Sequence, residues 1–315
     1  MVSEITVTNI VTGESVRMSA DSDQFVLDYV DWDSPSVSMD SYRVPFQIGE
    51  SLSGVTVGRR APTIYGYVVS PIVGQSILGR TWDEYYREQE EGINNNKEIL
   101  DRIFSVYQDV RIDAGDYHLD ARPSSPVRYS ATEEQNNEVL CYFAISLDCF
   151  RPMFYKDNVY TSLADTQELF HFPMIIPQSE GVVFGEIMKR QSIVIENVGD
   201  VPAGCEITIR ASGGVVENPR VYSVTTGEYI EFDGVTLQDG DYIVITTNTG
   251  EENAVKHSIS DSSEISVVGN MLDGSTFLQI EKGQGLYAYS VNEEQINNIE
   301  VLVSFVPEFF NIRGM

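Results

Sequence analysis

Alternation of apolar and polar residues marks many short strands along this chain, and the clearest one spans residues 139–150. Its odd positions are all apolar, namely Val139, Cys141, Phe143, Ile145, Leu147 and Cys149. Its even positions change from apolar to polar along the segment. Alternation with period two predicts a strand with one buried face. Pro152 ends this strand, because proline has no N–H group to continue the ladder.

The same pattern predicts further strands in the first half of the chain. They lie at residues 2–18 as a hairpin, 37–44, 49–70 as two strands broken by Gly58 and Pro62, 110–113 and 116–120. Ala114-Gly115 joins the last two as a short hairpin turn. Residues 122–137 are rich in Pro, Ser, Glu and Asn, which predicts a loop or the tip of a long hairpin.

One helical segment is predicted between these strands. Thr81-Trp82-Asp83-Glu84 has the form of a capping box, in which the threonine hydroxyl and the glutamate carboxylate each accept a backbone N–H. We expect the helix to be interrupted at Gly92 and to resume at about Asn95. An apolar stripe for packing on the sheet then follows at helical spacing, formed by Ile99, Leu100, Ile103, Phe104 and Tyr107.

From residue 190 onwards the chain predicts strands at regular short intervals, with Gly, Asp and Asn in the turns. The strands are expected at residues 192–197, 205–210, 220–224, 229–232, 242–247, 265–268, 275–281, 286–291 and 300–305. This spacing is typical of a β-sandwich of jelly-roll size. The predicted fold is therefore mainly β, with a sandwich-like or barrel-like first domain that bears the helix.

The domain boundaries follow from these patterns. Residues 1–172 form the predicted first domain, 173–189 the connection and 190–315 the second domain. The chain has 315 residues, of which 42% are hydrophobic, and this is enough for two domains with separate cores.

Charge narrows the classes of partner. The chain has 20 Lys and Arg residues against 48 Asp and Glu, a formal net charge of −28. Such a surface disfavours binding to nucleic acid or anionic lipid, because both need cations on the protein. The first residues have no pattern of a secretory signal, and no apolar run approaches the length of a membrane helix. We therefore expect a soluble protein made in the cytoplasm.

The cysteines are expected to be packing residues. Cys141 and Cys149 are eight residues apart on one predicted strand, which separates their Cα atoms by roughly 26 Å. A disulfide needs Cα atoms within about 7 Å. These two residues therefore cannot bond to each other if the strand forms, and small buried thiols are the simpler interpretation.

Motifs for catalysis or ligand binding are not found. The three histidines, His118, His171 and His257, are far apart in sequence and lack the close pairing typical of zinc ligands. Gly74–Gly79 misses the nucleophile-elbow spacing by one residue, and no phosphate-binding glycine motif occurs. Asp31-Trp32-Asp33 could stack on a sugar, but a partly buried tryptophan between solvated acids is the favoured interpretation. We predict no enzyme, no cofactor and no catalytic or metal site.

The order of features resembles the distal tail protein (Dit) family of long-tailed, non-contractile bacteriophages. The residues that carry this resemblance are mostly turn glycines and strand residues spread over the whole chain. They are Gly49-Glu50, Gly58-Arg59-Arg60, Thr63-Ile64-Tyr65-Gly66-Tyr67, the helix at 97–107, Asp148-Cys149-Phe150-Arg151-Pro152-Met153-Phe154, Phe170-His171-Phe172-Pro173, Gly181 to Gly185, Asn197-Val198-Gly199-Asp200, Asn218-Pro219, Thr226-Gly227-Glu228 and Gly240-Asp241.

The resemblance implies a ring-forming first domain and a galectin-like second sandwich. Proteins of this family form a homohexameric ring at the phage tail tip, a virion component. The ring joins the major tail-tube protein to the tail-associated tip protein, often carries receptor-binding proteins, and lets DNA pass through its channel without specific binding.

The second half of the sequence departs from a galectin in one respect, which limits the properties that the resemblance implies. Both tryptophans, Trp32 and Trp82, lie in the first half, and the second half lacks the H-x-N-x-R and W-G-x-E elements of a lectin site. Sugar binding is therefore not expected of the second domain. The alternative function is a host-surface or carbohydrate-binding module of a tail fibre or adhesin, and a more distant one is a cell-wall hydrolase.

Overall fold

The computed structural model describes residues 3–70, 81–132, 134–137, 139–162 and 192–313. The chain divides into two compact units, Met1–Lys156 with Phe310–Met315, and Asp157–Phe309. The predicted connection at 173–189, the nearby predicted boundaries and His171 lie outside the described residues. These boundaries stay predictions. The mainly β fold class is confirmed.

The described residues of the first unit form eleven strands and one long helix. Their bounds are β1 Glu4–Asn9, β2 Ser15–Ser19, β3 Phe25–Asp31, β4 Val37–Tyr42, β5 Ser51–Val57, β6 Thr63–Val69, α1 Trp82–Ile103, β7 Val110–Ala114, β8 Tyr117–Pro123, β9 Arg128–Tyr129, β10 Leu140–Asp148 and β11 Phe154–Tyr155.

Seven of these strands close into a barrel. The hydrogen-bonded order β8–β7–β1–β2–β3–β6–β10 returns to β8, because β10 also pairs with β8 through Leu147–Pro123 and Asp148–Arg122. Closure removes the exposed sheet edges that would otherwise pair with other chains. β9 adds to β10, and β11 adds to β8.

The strand predicted from the clearest alternation lies in this barrel as β10, Leu140–Asp148. Its alternate residues Cys141, Phe143, Ile145 and Leu147 are buried, as is Cys149 just beyond it. Val139 remains partly exposed. The predicted buried face is thus confirmed apart from its first residue.

The helix α1 begins at the predicted place. Thr81 caps it, and both hydrogen bonds of the capping box with Glu84 are present. The predicted interruption at Gly92 is wrong, since α1 runs unbroken to Ile103. A glycine inside a helix costs only about 1 kcal/mol, and burial of Gln89 before it and of Ile93 and Leu100 after it offsets that cost.

The apolar stripe of α1 is only partly as predicted. Leu100, Ile103 and Phe104 are buried, whereas Ile99 is half-buried and Tyr107 is exposed. The buried face continues instead through polar residues. One of them is Asn96, whose side-chain amide donates to the Val69 carbonyl at 3.0 Å. No helix in the described part of the chain combines the length and apolar character needed to span a membrane.

The second unit is built from strands in two main sheets. Their bounds are β12 Val159–Ser162, β13 Ser192–Asn197, β14 Ala203–Ala211, β15 Val216–Glu217, β16 Arg220–Ser223, β17 Tyr229–Glu231, β18 Thr236–Leu237, β19 Tyr242–Thr246, β20 Asn253–His257, β21 Glu264–Ser266, β22 Gln279–Ile280, β23 Gly283–Ser290, β24 Ile299–Phe305 and β25 Glu308–Phe309, with 3₁₀ helices at Val268–Asn270 and Glu293–Asn298.

The two sheets of this unit share one core. One sheet has the order β12–β24–β14–β19–β20–β21 with β22 beside β14, and the other has the order β13–β23–β16–β17. Inward residues of both sheets form a single apolar cluster, including Ile207, Ile245 and Val303 from the first and Val221 and Tyr289 from the second. The arrangement is a β-sandwich of antiparallel sheets.

A buried carboxylate organises the loops at one end of the sandwich. Asp241 is 1% exposed and accepts hydrogen bonds from the backbone N–H groups of Gln238 and Ile259 and from the Ser258 hydroxyl. Burial alone would raise the pKa of Asp241. These hydrogen bonds and the Lys256 ammonium at 3.5 Å outweigh burial and lower that pKa, so the side chain is an anion.

Candidate assembly surface

The strands β4 and β5 form a two-stranded sheet of their own, which we call the ribbon. Residues directly opposite one another in an antiparallel pair lie on the same face, and faces alternate along each strand. Val37 is opposite Val57, and Met39 is opposite Val55. These four side chains therefore form one apolar face. The opposite face carries polar residues and a glycine: Ser38, Asp40, Gly54 and Thr56.

This apolar face is exposed to solvent. Every residue of β4 is exposed, and Met39 retains 68% of its accessible surface. The turn at the end of the ribbon adds Phe46 and Ile48, both fully exposed. A two-stranded ribbon is marginally stable on its own, and a contiguous exposed apolar patch marks an interaction site.

The turn of the ribbon has a defined conformation. The Gln47 N–H donates to the Val44 carbonyl at 3.0 Å, and the Gln47 side chain accepts from the Val44 N–H at 3.2 Å. Phe46 has a φ of +70°. Such a backbone conformation is uncommon for a large residue and is typical of functional sites.

The base of the ribbon is fixed to the barrel. The Gly58 N–H donates to the Ser36 carbonyl at 2.7 Å, and a Cβ at Gly58 would lie 2.3 Å from the Ser36 Oγ. A larger residue at this position would therefore require the Ser36 hydroxyl to move. The next residue, Arg59, pairs with Asp148 at 3.2 Å. Gly58-Arg59-Arg60, one of the motifs behind the family resemblance, thus anchors the ribbon.

Arg60 is the centre of this anchor and is 0% exposed. Its guanidinium donates to the Pro152 carbonyl at 2.8 Å, to the Asp33 carbonyl at 3.3 Å and to the Phe310 carbonyl at 2.5 Å. It also lies 4.4 Å from the centroid of the Phe154 ring. Burial lowers the pKa of Arg60, and the carbonyl oxygens satisfy its donors in place of a carboxylate.

A second exposed feature lies on the outside of the barrel. Four tyrosines on three neighbouring strands, which we call the tyrosine ladder, are Tyr29, Tyr65, Tyr67 and Tyr142. Tyr29 stacks on Tyr65 with ring centroids 4.5 Å apart. Tyr142 stacks on Tyr65 at 6.3 Å and meets Tyr67 edge-on at 5.2 Å.

The tyrosine ladder is only partly covered by the described part of the chain. Tyr29 is 42% exposed, and the other three are half-buried. On β6 the residues facing the same way as the tyrosines are all half-buried, whereas the alternate residues Ile64, Gly66 and Val68 are buried. Tyrosines with a flat exposed surface are enriched at protein interfaces.

The motif Asp31-Trp32-Asp33 has a structural role. Trp32 is half-buried and meets Phe154 edge-on at 5.3 Å. The backbone carbonyls of Trp32 and Asp33 accept from Arg60. The motif therefore belongs to the ribbon anchor, in line with the structural interpretation of its sequence.

The two described histidines lie in different units, and each pairs with a carboxylate. His118 Nδ1 is 2.6 Å from Asp113, and His257 Nδ1 is 3.3 Å from Glu264. The described residues contain no group of three His, Cys, Asp or Glu side chains that could hold a metal. The near-miss motif Gly74–Gly79 lies outside the described residues.

The three cysteines are free thiols and all are buried. Burial raises the pKa of Cys149 to about 12 and that of Cys205 to about 11. Burial also raises the pKa of Cys141. Since the thiolate is the nucleophile, thiols that stay protonated at neutral pH are suited to packing rather than chemistry.

On the outer face of the sandwich, a row of polar side chains crosses neighbouring strands. Arg210 lies over the Tyr242 ring at 5.4 Å, and His257 stacks on Tyr242 at 4.7 Å with an interplanar angle of 11°. The Tyr242 ring is thus flanked by a guanidinium and an imidazole from the strands on its two sides.

Sequence reasoning missed both the exposed ribbon and the tyrosine ladder. The alternation in 37–57 predicted strands correctly, but nothing in it distinguished the uncovered ribbon from a core pair. The tyrosine ladder could have been found from Tyr65 and Tyr67, which alternate with the apolar positions of β6. It also needed the strand register, which brings Tyr29 and Tyr142 beside them.

Comparison with known proteins shows the fold. No protein-family model matches the chain, and no curated protein matches it. Among solved structures, the SPP1 Dit protein, a paradigm of the hub adsorption apparatus of phages that infect Gram-positive bacteria, matches with a TM-score of 0.62 at 11% identity. The match covers 97% of this chain and 99% of that one.

Two structures of the phage P2 baseplate in its activated conformation, with Ca and with Sr, match less closely. Their TM-scores are 0.43 and 0.42, at 11% and 10% identity, over 96% of this chain and 97% of theirs. From SPP1 Dit we conclude that this chain shares the fold of a phage hub protein over nearly its whole length.

Proposed function

We propose that this chain is a structural hub protein of a phage tail tip, a distal tail protein that assembles as a homohexameric ring around a channel for DNA. The observation that carries the proposal is the exposed apolar face of the ribbon, in a chain that shares its fold with the SPP1 Dit hub along nearly its whole length. The chain acts as a component of the virion that is made in the host cytoplasm, and it is not an enzyme.

A ring of copies would explain why the ribbon has an exposed apolar face. An exposed apolar face of this kind is typical of an interaction site, and a copy of the same chain can cover it. If a different surface of the next copy covers the ribbon, each copy uses its ribbon to contact one neighbour and its other surface to contact the second neighbour. Such an arrangement closes into a ring when the rotation between copies is a whole-number fraction of a full turn.

The other partners follow from the same proposal. The ring joins the major tail-tube protein on one side to the tail-associated tip protein on the other, and the second unit is a galectin-like platform on which receptor-binding proteins dock. The net charge of −28 per chain suits a ring through which DNA passes, because an acidic lumen repels phosphate. A channel lined by neutral or basic side chains would contradict this role of the charge.

The experiment is a mass measurement followed by imaging. We expect native mass spectrometry to give six times the chain mass of 35.2 kDa, either for the chain alone or after coexpression with the tail-tube and tip proteins of its own genome. Negative-stain microscopy of that sample should show six-fold rings. A chain that stays monomeric in all of these samples, or one that binds glycans as a monomer, would favour the alternative of a host-surface binding module.

A further inference from the structure

We propose that the first turns of α1 bind a basic segment of a different protein of the tail tip. The surface is the aromatic face, which we define as Trp82, Tyr85 and Tyr86 with the flanking carboxylates of Asp83 and Glu90. Its occupant is a segment that carries Lys or Arg. This inference rests on the proposed function, since it names one docking surface of the hub and the chemistry of the partner.

The aromatic face continues the buried face of α1 beyond the part that is covered. The buried residues of the helix recur at spacings of three and four, at Gln89, Ile93, Asn96, Leu100 and Ile103. Trp82 precedes Gln89 by seven residues and Tyr86 precedes it by three, so all three lie on one face. Yet Trp82 keeps 59% of its accessible surface and Tyr86 keeps 48%. The described part of the chain thus covers this face along most of α1 but not at its start.

The three rings of the aromatic face contact one another. Trp82 stacks on Tyr86 with ring centroids 6.0 Å apart and an interplanar angle of 26°. Tyr85 meets both rings edge-on, at 6.3 Å and 6.1 Å. Clustered Trp and Tyr side chains are typical of protein interfaces, and their ring faces attract Lys and Arg side chains. The cluster therefore fits a partner that brings a cation.

The charge around the rings also favours a cationic partner. Residues 82–91 contain five carboxylates and one base, Arg87. Asp83 precedes Tyr86 by three residues and Glu90 follows it by four, so both are direct neighbours of Tyr86 on the helix surface. Both carboxylates are exposed. A partner that covered the rings would remove water from these carboxylates, which is unfavourable unless the partner supplies a counter-charge.

A buried acceptor lies at the inner end of the aromatic face. Gln89 is 3% exposed, and its side-chain oxygen Oε1 has no hydrogen-bond partner in the described part of the chain. The carboxylates and this oxygen are all acceptors. Lys and Arg side chains carry donors and no acceptor, so they are the complementary chemistry.

A second copy of this chain is a poor occupant. Each copy has a net charge of −28, and several of its exposed arginines already pair with carboxylates of the same chain. These pairs are Arg17 with Glu4, Arg59 with Asp148, Arg102 with Glu14, Arg111 with Asp120 and Arg122 with Asp109. Use of one of these cations between copies would break its existing pair. We therefore expect the cation to come from a protein with a different charge balance.

Photocrosslinking tests the identity of the occupant. The full chain, with p-benzoylphenylalanine in place of Tyr86, is coexpressed with the tail-tube, tip and receptor-binding proteins of its own genome and irradiated. The control carries the same probe in place of Glu91, which lies about two and a half turns from Trp82 and thus on the opposite side of α1. Mass spectrometry identifies the cross-linked peptides.

We expect a product with a different protein, at least tenfold stronger from position 86 than from position 91. Its cross-linked segment should carry more Lys and Arg than Asp and Glu. No product, equal products from both positions, or a product with a second copy or with an acidic or uncharged segment would overturn the inference. The mass of the same sample separates the two proposals. Six-fold assemblies without the expected product leave the hub function in place, whereas a monomeric chain without any product overturns both.

A matched pair of charge variants gives a second readout. Glu90→Lys places a cation beside the aromatic face, and Glu91→Lys makes the same change in charge on the opposite side of α1. Both residues are exposed, so both variants should unfold at the temperature of the unmodified chain. The tagged chain should retain at least tenfold less of the cross-linked partner with Glu90→Lys, because like charges repel, and a similar amount with Glu91→Lys. Equal retention by the two variants would count against the aromatic face as the docking surface.

Discussion

Two antiparallel strand pairs of the first unit have similar sequence patterns and opposite environments. In the pair β6–β10, every second residue is buried, and Phe143 is 0% exposed. In the ribbon, every residue of β4 is exposed, although Val37 and Met39 alternate with polar residues in the same way. The difference shows that alternation identifies the residues that share a face, but not what covers that face.

The cause lies in the neighbours of each pair. β10 has partners on both sides inside a closed barrel, so its inward residues meet the opposite wall. Among the strands that the structure describes, β4 and β5 pair only with each other. An apolar face in the first position is buried by the fold, and the apolar face of the ribbon is left exposed by the described part of the chain.

The largest effect is expected from a charge in the barrel core. Phe143→Asp should lower the free energy of unfolding by about 4 kcal/mol or more, because it buries an unpaired carboxylate and leaves a cavity. Urea denaturation followed by tryptophan fluorescence measures this. The control is Ala144→Asp, on the half-buried outer side of the same strand, which should cost about 1 kcal/mol or less. Equal losses for the two variants would show that the buried face of β10 is misassigned.

The next largest effect is expected at the anchor between the barrel and the ribbon. Arg60→Met should cost about 3 kcal/mol, because several buried carbonyl oxygens lose their donors together. Arg59→Met is the matched control, since Arg59 is largely exposed and its ion pair with Asp148 is accessible to water. We expect the midpoint temperature of thermal unfolding to fall markedly for Arg60→Met and only slightly for Arg59→Met. A similar small shift for both would mean that the Arg60 network is not formed.

Alanine substitutions at two glycines allow the two strand pairs to be compared directly. A Cβ at Gly66 in β6 would lie 2.4 Å from the Val26 carbonyl oxygen and 2.7 Å from the Phe143 ring. Gly66→Ala should therefore cost about 1–3 kcal/mol by overpacking. At Gly54 in β5 the nearest atom is the Asp40 carboxylate at 3.8 Å, so Gly54→Ala should leave stability nearly unchanged. Denaturant unfolding of both variants side by side checks this, and a loss at Gly54 equal to that at Gly66 would contradict an uncovered ribbon.

Much of the local structure could be predicted from the sequence. The strand at residues 192–197 has the predicted bounds, and β10 is within two residues of them. The capping box placed the start of α1 correctly. In these cases the signal is local, since strand alternation and helix caps depend on neighbours within a few residues.

Predictions failed where tertiary structure overrides local preference. Residues 275–281 were expected to form a strand, but only Gln279–Ile280 pair. β20, Asn253–His257, was missed because its sequence NAVKH alternates weakly, and its pairing with β19 supplies the order. The break at Gly92 did not occur, because packing on both sides holds the helix together.

The candidate assembly surface was the least predictable part. Its residues were recognised as strand residues, and Gly58-Arg59-Arg60 was recognised as a motif, but the role of each depends on distant partners. Arg60 bonds to the carbonyl of Phe310, 250 residues away in sequence. No window of the sequence contains that contact, so the burial of one arginine and the exposure of its neighbour could be learned only from the structure.

The smallest effect on stability is expected in the ribbon, where the effect on assembly should be the largest. Met39→Glu adds a charge to an exposed side chain, so the free energy of unfolding of the single chain should change by less than about 0.5 kcal/mol. In the ring the same charge would be buried against a neighbouring copy, so assembly should be lost. Ser38→Glu, on the polar face, should leave both unchanged. If Met39→Glu instead destabilised the single chain as strongly as Phe143→Asp, the ribbon would be covered within its own chain, and the contrast with β10 would disappear. If it assembled as well as Ser38→Glu, the apolar face would not lie in the interface between copies.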